Sequence, residues 1–456
     1  MRLDLPISSY VDTPSSTTQL VNAYIEKGGE QGKGPVLNGV PGISAHLNVG
    51  LGGLRACFAM LGSLYVVALD KLYRVTGTAV ELLGTVGFGG RPQIAGNGIQ
   101  VCVLVQSNAY VYTLATGVLS QVTDIDFTAR GANSVQFFDN FLTFTEPHSG
   151  RWFSSDLAAA TAFNSLNFAT AEGAPDNLVA HVVDHRQAFL LGTESCEIWD
   201  NAGLSGFPFI RASNGFVEIG CLNGDTAVKV DQSVLWLASD GTVRRLQGVT
   251  PVRVSTHAVE RAIRSYTLSG AYALTMTWDG HIWYVLTFPE GTWIYDITTQ
   301  KWFERRSYGY DNWRVSCAAQ LDGVTYVGDA ITNKLGILDD VFTEWDDVLR
   351  MAWTYPSIYA DRARAVHNRL EIVFEAGVGI ATGQGSDPVV SLEISDDGKT
   401  FREAPLRRMG KIGEYRNRAV WHRLGQSRER VYRAYVSDPV RRKVVDTQTE
   451  VTGGRL

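Results

Sequence analysis

Cysteine is scarce and forms no pattern. The five residues, at 57, 102, 196, 221 and 317, are an odd set without a Cys-x-x-Cys pair. Most fall on predicted strands, where a free thiol behaves as a small buried hydrophobe, so folding in a reducing compartment is expected. Long apolar runs are missing too. The longest, ACFAMLGSLYVVAL, is broken by Gly-Ser and too short to span a bilayer. The opening MRLDLPISSY holds one Arg and no apolar segment of a secretory signal. Neither sign of charge dominates: 41 Lys and Arg against 47 Asp and Glu give a net −6, which argues against the whole chain being a polyanion binder. Catalytic sets are lacking as well. GFGGRPQ and GVGIATGQG are Gly-rich, but neither leads into Gly-Lys-Ser/Thr, and there is no Gly-x-Ser-x-Gly elbow. His181 and His185 lie four apart, in strand and turn surroundings, with no carboxylate or thiol at metal-ligand spacing. SDDGKTF, from Ser395, is one residue short of the Asp-box of sialidase-type propellers and reads better as an Asp-Gly hairpin. No catalytic residue, cofactor or metal is expected, and the chain reads as a non-enzyme.

What is present is glycine, 46 residues of it, and a repeat. DGHIWYVLTFPEGTWIYDITTQKWFE is a set of short apolar runs cut by Asp279-Gly280 and Pro289-Glu290-Gly291. Such turns join β-strands, because Gly takes positive φ at no steric cost. Related units turn at Gly62-Ser63, Asn97-Gly98, Asp139-Asn140, Asp184-His185, Asp231-Gln232 and Asp322-Gly323, in steps of 35 to 48 residues. Several strands per repeat at that period predict a β-propeller of about seven blades over residues 51–348. A blade cannot bury both faces alone, and packing seven around an axis solves that. An all-β sandwich with evenly spaced turns, or another repeated β architecture, is the alternative.

Three further segments complete the reading. Residues 1–50 are not blade-like: polar, Gly- and Pro-rich chain surrounds one apolar patch, QLVNAYI. They are expected to form an arm laid across a neighbouring subunit through Leu20 and Tyr24, and removing residues 1–30 should leave a folded propeller. VSTHAVERAIRSYTLSGAYA predicts a helix capped by Ser255 or Thr256, with Val259 and Ile263 on its inner face. Residues 349–456 read as a second, sandwich-like β domain. Its loop GVGIATGQGSDP is either solvated or a contact loop that orders on assembly. From Arg350 onward there are 19 Lys and Arg against 13 Asp and Glu, a net +6, which leaves −12 before it. In SRERVYRAYVSDPVRRK the basic residues partly alternate with Val, Tyr and Ala, as on a strand with one polar face. Arg428, Arg430 and Arg433 are therefore candidate contacts to an acidic partner, with a grip on DNA as the competing role. The aromatics of the sixth repeat, Trp278 to Phe303, are either blade core or a sugar-stacking platform.

Four stretches resemble one known family: the tail-hub, or packaged-DNA stabilisation, proteins of short-tailed bacteriophages. They are LVNAYIE with LNGVPGI; DNLVAHVVDHRQAFLLGTESCEIWDNAG; VERAIRSYTL with WDGHIWYVLTFPEGTWIYD; and VWHRLGQSRERVYRAYVSDPV. They occur in order over nearly the whole chain, more loosely in the first 130 residues beyond the arm. None is catalytic. The resemblance implies a structural virion protein made in the host cytoplasm. Such hubs add below the portal and its adaptor after packaging, as a ring commonly of six. They close the channel with a needle or plug and help carry tailspikes or fibres. The alternative is a glycan-binding or glycan-hydrolysing propeller of the tail, which for hydrolysis needs two carboxylates about 5–9.5 Å apart; 47 acidic residues leave many pairs.

Overall fold

The structure, a computed structural model, describes residues 2–10, 17–26, 34–359, 363–375, 377 and 379–453. The polar and Gly-rich stretches expected as free arm fall largely outside these residues.

Seven four-stranded antiparallel sheets surround an axis. Their first strands are Leu54–Met60, Gln93–Gly96, Ser134–Phe138, Leu178–Asp184, Val228–Val230, Tyr272–Trp278 and Val315–Leu321. Each touches the next, and the seventh packs on the first, closing the circle. Six blades join their first two strands by a two-residue turn with both residues at positive φ, as in Asp139 (48°) and Asn140 (69°). That turn type matches the right-handed twist of the strands it joins. In two blades the turn is shifted by one residue from the expected place, earlier at Leu61-Gly62 and later at His185-Arg186. Asp184 is a strand residue, buried and paired with Gln187. Non-glycine residues hold the left-handed conformation there, so the sequence carries no marker.

Inner strands such as Ser63–Ala68 and Gln100–Val105 are buried along their whole length, because neighbouring blades cover both faces. The sixth-repeat aromatics are core: Trp283, Tyr284, Trp293, Tyr295, Trp302 and Phe303 are all buried. The helix His257–Arg264 starts at Thr256, whose Oγ1 accepts from the Val259 N–H at 3.4 Å, and it buries Val259 and Ile263. The five cysteines are free, and burial pushes Cys102 and Cys221 up to about 12.

The N-terminal segment is not an arm. It contributes β1 (Gln19–Val21), β2 (Ala23–Glu26), β3 (Val36–Gly39) and β4 (Gly42–Asn48), each built into a sheet formed by residues hundreds of positions away. β4 pairs with Lys334–Asp339 and supplies the fourth strand of the seventh blade, so strands from opposite ends of the propeller close it. β1 runs parallel to Lys301–Arg305 of the sixth blade on one side and antiparallel to Met351–Thr354 on the other. One sheet thus continues from the sixth blade through β1, Met351–Thr354, Glu429–Val436 and Val389–Ser395 to Arg402–Arg408. The facing sheet holds β2, β3, Lys443–Gly453, Ala365–Phe374 and Ala419–His422. These two sheets form the C-terminal sandwich. The chain crosses between them at Asn22, whose φ of 54° turns the backbone. Asn22 Nδ2 donates to the carbonyls of Arg306 (2.9 Å) and Arg350 (2.8 Å), pinning the crossover to both domains. One apolar core runs from Trp283 and Phe303 through Leu20, Tyr24 and Ile25 to Trp353, Trp421 and Tyr432.

Candidate assembly surface and the joint between the domains

The five residues expected to make assembly contacts do not form one surface. Leu20 and Tyr24 are buried in the shared core, Tyr24 with its ring edge-on to His281 (4.8 Å) and Trp283 (5.5 Å). Neither can reach another subunit in this fold. Arg430 is corrected too. Side chains alternate along Glu429–Val436, and Arg430 shares the core-facing set with Tyr432, Ala434 and Val436. It is fully buried, with Nε on Asp396 Oδ1 (2.7 Å) and Nη1 on the Leu424 carbonyl (2.8 Å). Arg433 lies on the opposite face, paired with Glu393 and stacked on Phe401 at 3.9 Å. Arg428 is exposed.

Arg433 borders a groove of about 430 Å³ where β1, the loop 306–314 and the sandwich meet. Its walls carry Arg306, Arg350, Tyr308 and Tyr310. Both tyrosines are exposed, and Arg350 stacks on Tyr435 at 3.8 Å. Rigid aromatic side chains beside guanidinium groups are the composition that dominates protein-binding surfaces. A second unusual region lies on one end of the first three blades. Leu61, Ile99, Val118 and Leu157 are exposed on or beside the turns there. The first turns of the later blades carry Arg186, Asp231, Asp279 and Asp322 instead, although the third-to-fourth-strand turns of the fourth and fifth blades expose Leu204 and Val249 at the same end. Clustered exposed apolar side chains on a folded domain mark a contact region.

The propeller axis is crossed by side chains. Arg91, entering the second blade, donates Nη2 to the Ser316 carbonyl of the seventh (2.6 Å) and stacks on Tyr272 of the sixth (4.1 Å). Gln93 reaches the Asn133 carbonyl (3.4 Å) and Asp225 Oδ1 (3.5 Å), beside the third and fifth blades.

The joint itself is rich in buried charge. His281 sits between Asp296 (Nδ1, 2.7 Å) and Glu26 of β2 (Nε2, 2.8 Å). Burial alone would push the imidazole down, but the two carboxylates override it and hold it up at about 9, so blade and sandwich are linked by a charged histidine. Arg305 stacks on Trp313 at 3.8 Å and faces Glu344 at 3.5 Å. Burial pushes Arg305 and Arg442 down to about 10. Sequence reading missed these residues because decisive partners come from distant parts of the chain: Glu26 lies 255 residues from His281 and Pro41 lies 264 from Arg305. The Arg-Arg-Lys run at 441–443 was the only local signal.

The motifs set aside as decoys have structural roles. His181 is buried, hydrogen-bonded to Ser134 Oγ (2.5 Å) and Thr143 Oγ1 (2.9 Å), and burial pushes it down to about 3. Asp397 accepts from the backbone N–H groups of Thr400 (2.7 Å) and Lys399 (2.8 Å), which hold its carboxyl well below the usual range and shape a hairpin. Among the described residues no three His, Cys, Asp or Glu side chains are grouped to hold a metal, and no helix is long and apolar enough to cross a membrane.

Comparison with known proteins places the chain. No curated protein matches it. Among solved structures it is similar to PorZ, a surface component of the type-IX secretion system of Porphyromonas gingivalis, at 13% identity and TM-score 0.41, over 64% of this chain and 37% of that one. It is also similar to the extracellular domain of the one-component system BT4673 of B. thetaiotaomicron, at 11% identity and TM-score 0.45, over 88% and 59% of the two chains. The chain thus spans less than two thirds of either structure's length. Two family models match in order: the β-propeller of bacteriophage P22 Gp10 over residues 15–343, and the β-sandwich of the same protein over residues 351–452. The chain belongs to the Gp10 family of podovirus tail-hub, packaged-DNA stabilisation proteins.

Proposed function

We propose that the chain is the tail hub of a short-tailed phage. It adds below the portal and its adaptor once the genome is in, closes the channel with a needle or plug, and connects to tailspikes or fibres. The observation that carries this reading is the match of both domains, in order, to the Gp10 family. Copies assemble as a closed ring, with six subunits, in the virion tail. A head-to-tail ring needs two different surfaces on each subunit. The Tyr- and Arg-lined groove beside the sandwich and the apolar turns of the first three blades are two such surfaces. The sandwich, net +6 from residue 350, faces an acidic partner through exposed Arg428, with Arg433, which Glu393 already pairs, beside it. Opposite fields set encounter rate and orientation more than final affinity. Because Arg91 and Gln93 cross the propeller axis, the passage for DNA lies between subunits and not through a propeller. The test is DNA retention. Filled heads that lack the chain should release DNA that nuclease digests, and purified chain added back should restore protection. Equal protection with and without it would refute the reading.

A further inference from the structure

The groove beside the sandwich holds an exposed charge that the chain itself leaves unanswered. Its floor is the outer face of the sheet that crosses the joint, where Val21 and Ala352 are paired side by side and carry short side chains. One wall is the link from the sixth blade to the seventh. There the Ser307 N–H donates to the Asn312 carbonyl (3.0 Å) and the Tyr310 N–H to the Ser307 carbonyl (3.1 Å), a tight turn that holds Tyr308 and Tyr310 out at 63% and 44% exposure. Of the three lining arginines, Arg306 is paired with Glu304 (2.5 Å) and Arg433 with Glu393, the one carboxylate in the lining. Among the described residues no carboxylate pairs with Arg350, which is exposed and held over the Tyr435 ring at 3.8 Å.

Strands alternate in direction within each blade, so this link lies at the end opposite the first turns. The acids on those turns are mostly engaged. Asp139 pairs with Arg186 (3.1 Å), Asp231 pairs with Arg245 (2.7 Å), and Asp279 lines the joint cavity with Arg441 and Lys443. Asp322 of the seventh blade differs: it is exposed and, among the described residues, has no ion pair. It opens a two-residue turn with Gly323, at φ of 50° and 80°, and a Cβ on Gly323 would meet nothing within 4 Å. The tip is therefore narrow and free-standing. Leu61, 70% exposed, lies at the same end on the adjoining first blade. A guanidinium with tyrosines at one end and a carboxylate with a leucine at the other are complementary in charge and in apolar character. Being at opposite ends, they cannot meet within one chain.

We propose that the groove receives the Asp322-Gly323 turn of a second copy of this chain, with Arg350 pairing Asp322 across the subunit boundary and Tyr308 and Tyr310 packing against the tip. The inference rests on the ring reading above and gives that ring its point of contact. The joint is heterologous, so each copy uses its groove toward one neighbour and its seventh-blade tip toward the other.

The test is site-specific cross-linking. Tyr308→Cys and Gly323→Cys are prepared as separate proteins; both positions are open, and the position equivalent to Gly323 is filled by Gln232 in the fifth blade and Asn140 in the third at positive φ. A short bismaleimide is applied to each alone and to the mixture, in isolation and with portal–adaptor complex, with wild type giving the background from the chain's own thiols. A covalent dimer is expected from the mixture and from neither protein alone. Adding Arg350→Glu to the groove variant should lower its yield by about tenfold, and adding Asp322→Arg to the tip variant should then restore it. No mixed dimer under either condition, a yield indifferent to Arg350→Glu, or no rescue by Asp322→Arg would overturn the proposal. A ring formed on the complex without the cross-link would refute this contact and leave the hub reading standing, whereas a cross-link without binding to the complex would do the reverse.

Discussion

Replacing Leu20 by Ala tests whether the N-terminal segment is part of the fold or a contact for neighbours. Leu20 is 1% exposed and sits on β1, which is paired on both edges, with Lys301–Arg305 and with Met351–Thr354. Leu-to-Ala changes in cores cost about 2–5 kcal/mol, rising with the cavity that remains. A strand fixed on both sides cannot move in to fill the gap, so the upper half, about 3–5 kcal/mol, is expected. That is a large part of the ~5–15 kcal/mol that keeps a domain folded. Because one sheet and one core span the joint, the wild type should unfold in one main step where propeller and sandwich meet. The variant should unfold earlier or show the sandwich separating first. The assay is urea unfolding of the isolated chain followed by tryptophan fluorescence. Leu166→Ala is the control: that side chain is 77% exposed on the outer strand of the third blade and should change stability by less than about 0.5 kcal/mol. If the two variants unfold alike, β1 is not structural and the account of the joint is wrong.

Other perturbations separate the remaining parts. His281 is held at about 9 by Asp296 and Glu26, above its ordinary value near 6.5. Its stabilisation is complete below about pH 6.5 and is lost as pH rises to about 9; His281→Gln should flatten the stability–pH curve across that window, and an unchanged slope would count against the charged link. A Cβ at Gly53 would lie 1.9 Å from the Ala330 carbonyl oxygen, where the first and seventh blades meet, so Gly53→Ala should cost about 1–3 kcal/mol in thermal unfolding. Arg430→Glu should destabilise the isolated chain by several kcal/mol, since it places a carboxylate against Asp396 in a buried site, whereas Arg428→Glu should leave stability alone and slow assembly in a salt-dependent manner. Tight, salt-steep binding of wild-type chain to duplex DNA, lost in Arg428→Glu with assembly intact, would instead make this surface a DNA contact.

The propeller was legible because its signals are local. Asp279-Gly280 and Asp322-Gly323 announce their turns, and the apolar strands before them recur at one period. The outer strands were weak signals: Ala79–Thr85 and Val118–Gln121 are largely exposed, so no burial pattern is written into them. The segment 1–50 was misread because strand addition is a long-range event. QLVNAYI shows that something must be buried, but not that its partners lie some 280 and 330 residues further on. Arg430 was misplaced by parity. A strand with alternating charges suggests one polar face, yet 430 and 433 are an odd number of residues apart and point opposite ways. His281 and Glu26 could not be paired in advance at all, because they are 255 residues apart and meet only where the sixth blade and the sandwich join.

The most direct measurement of the hub reading is native mass determination of the purified chain, alone and with portal–adaptor complex. The account predicts a smaller species alone and a closed ring of six copies once the complex is supplied. A chain that stays unbound in the presence of that complex, at concentrations where its fold is intact, would contradict it.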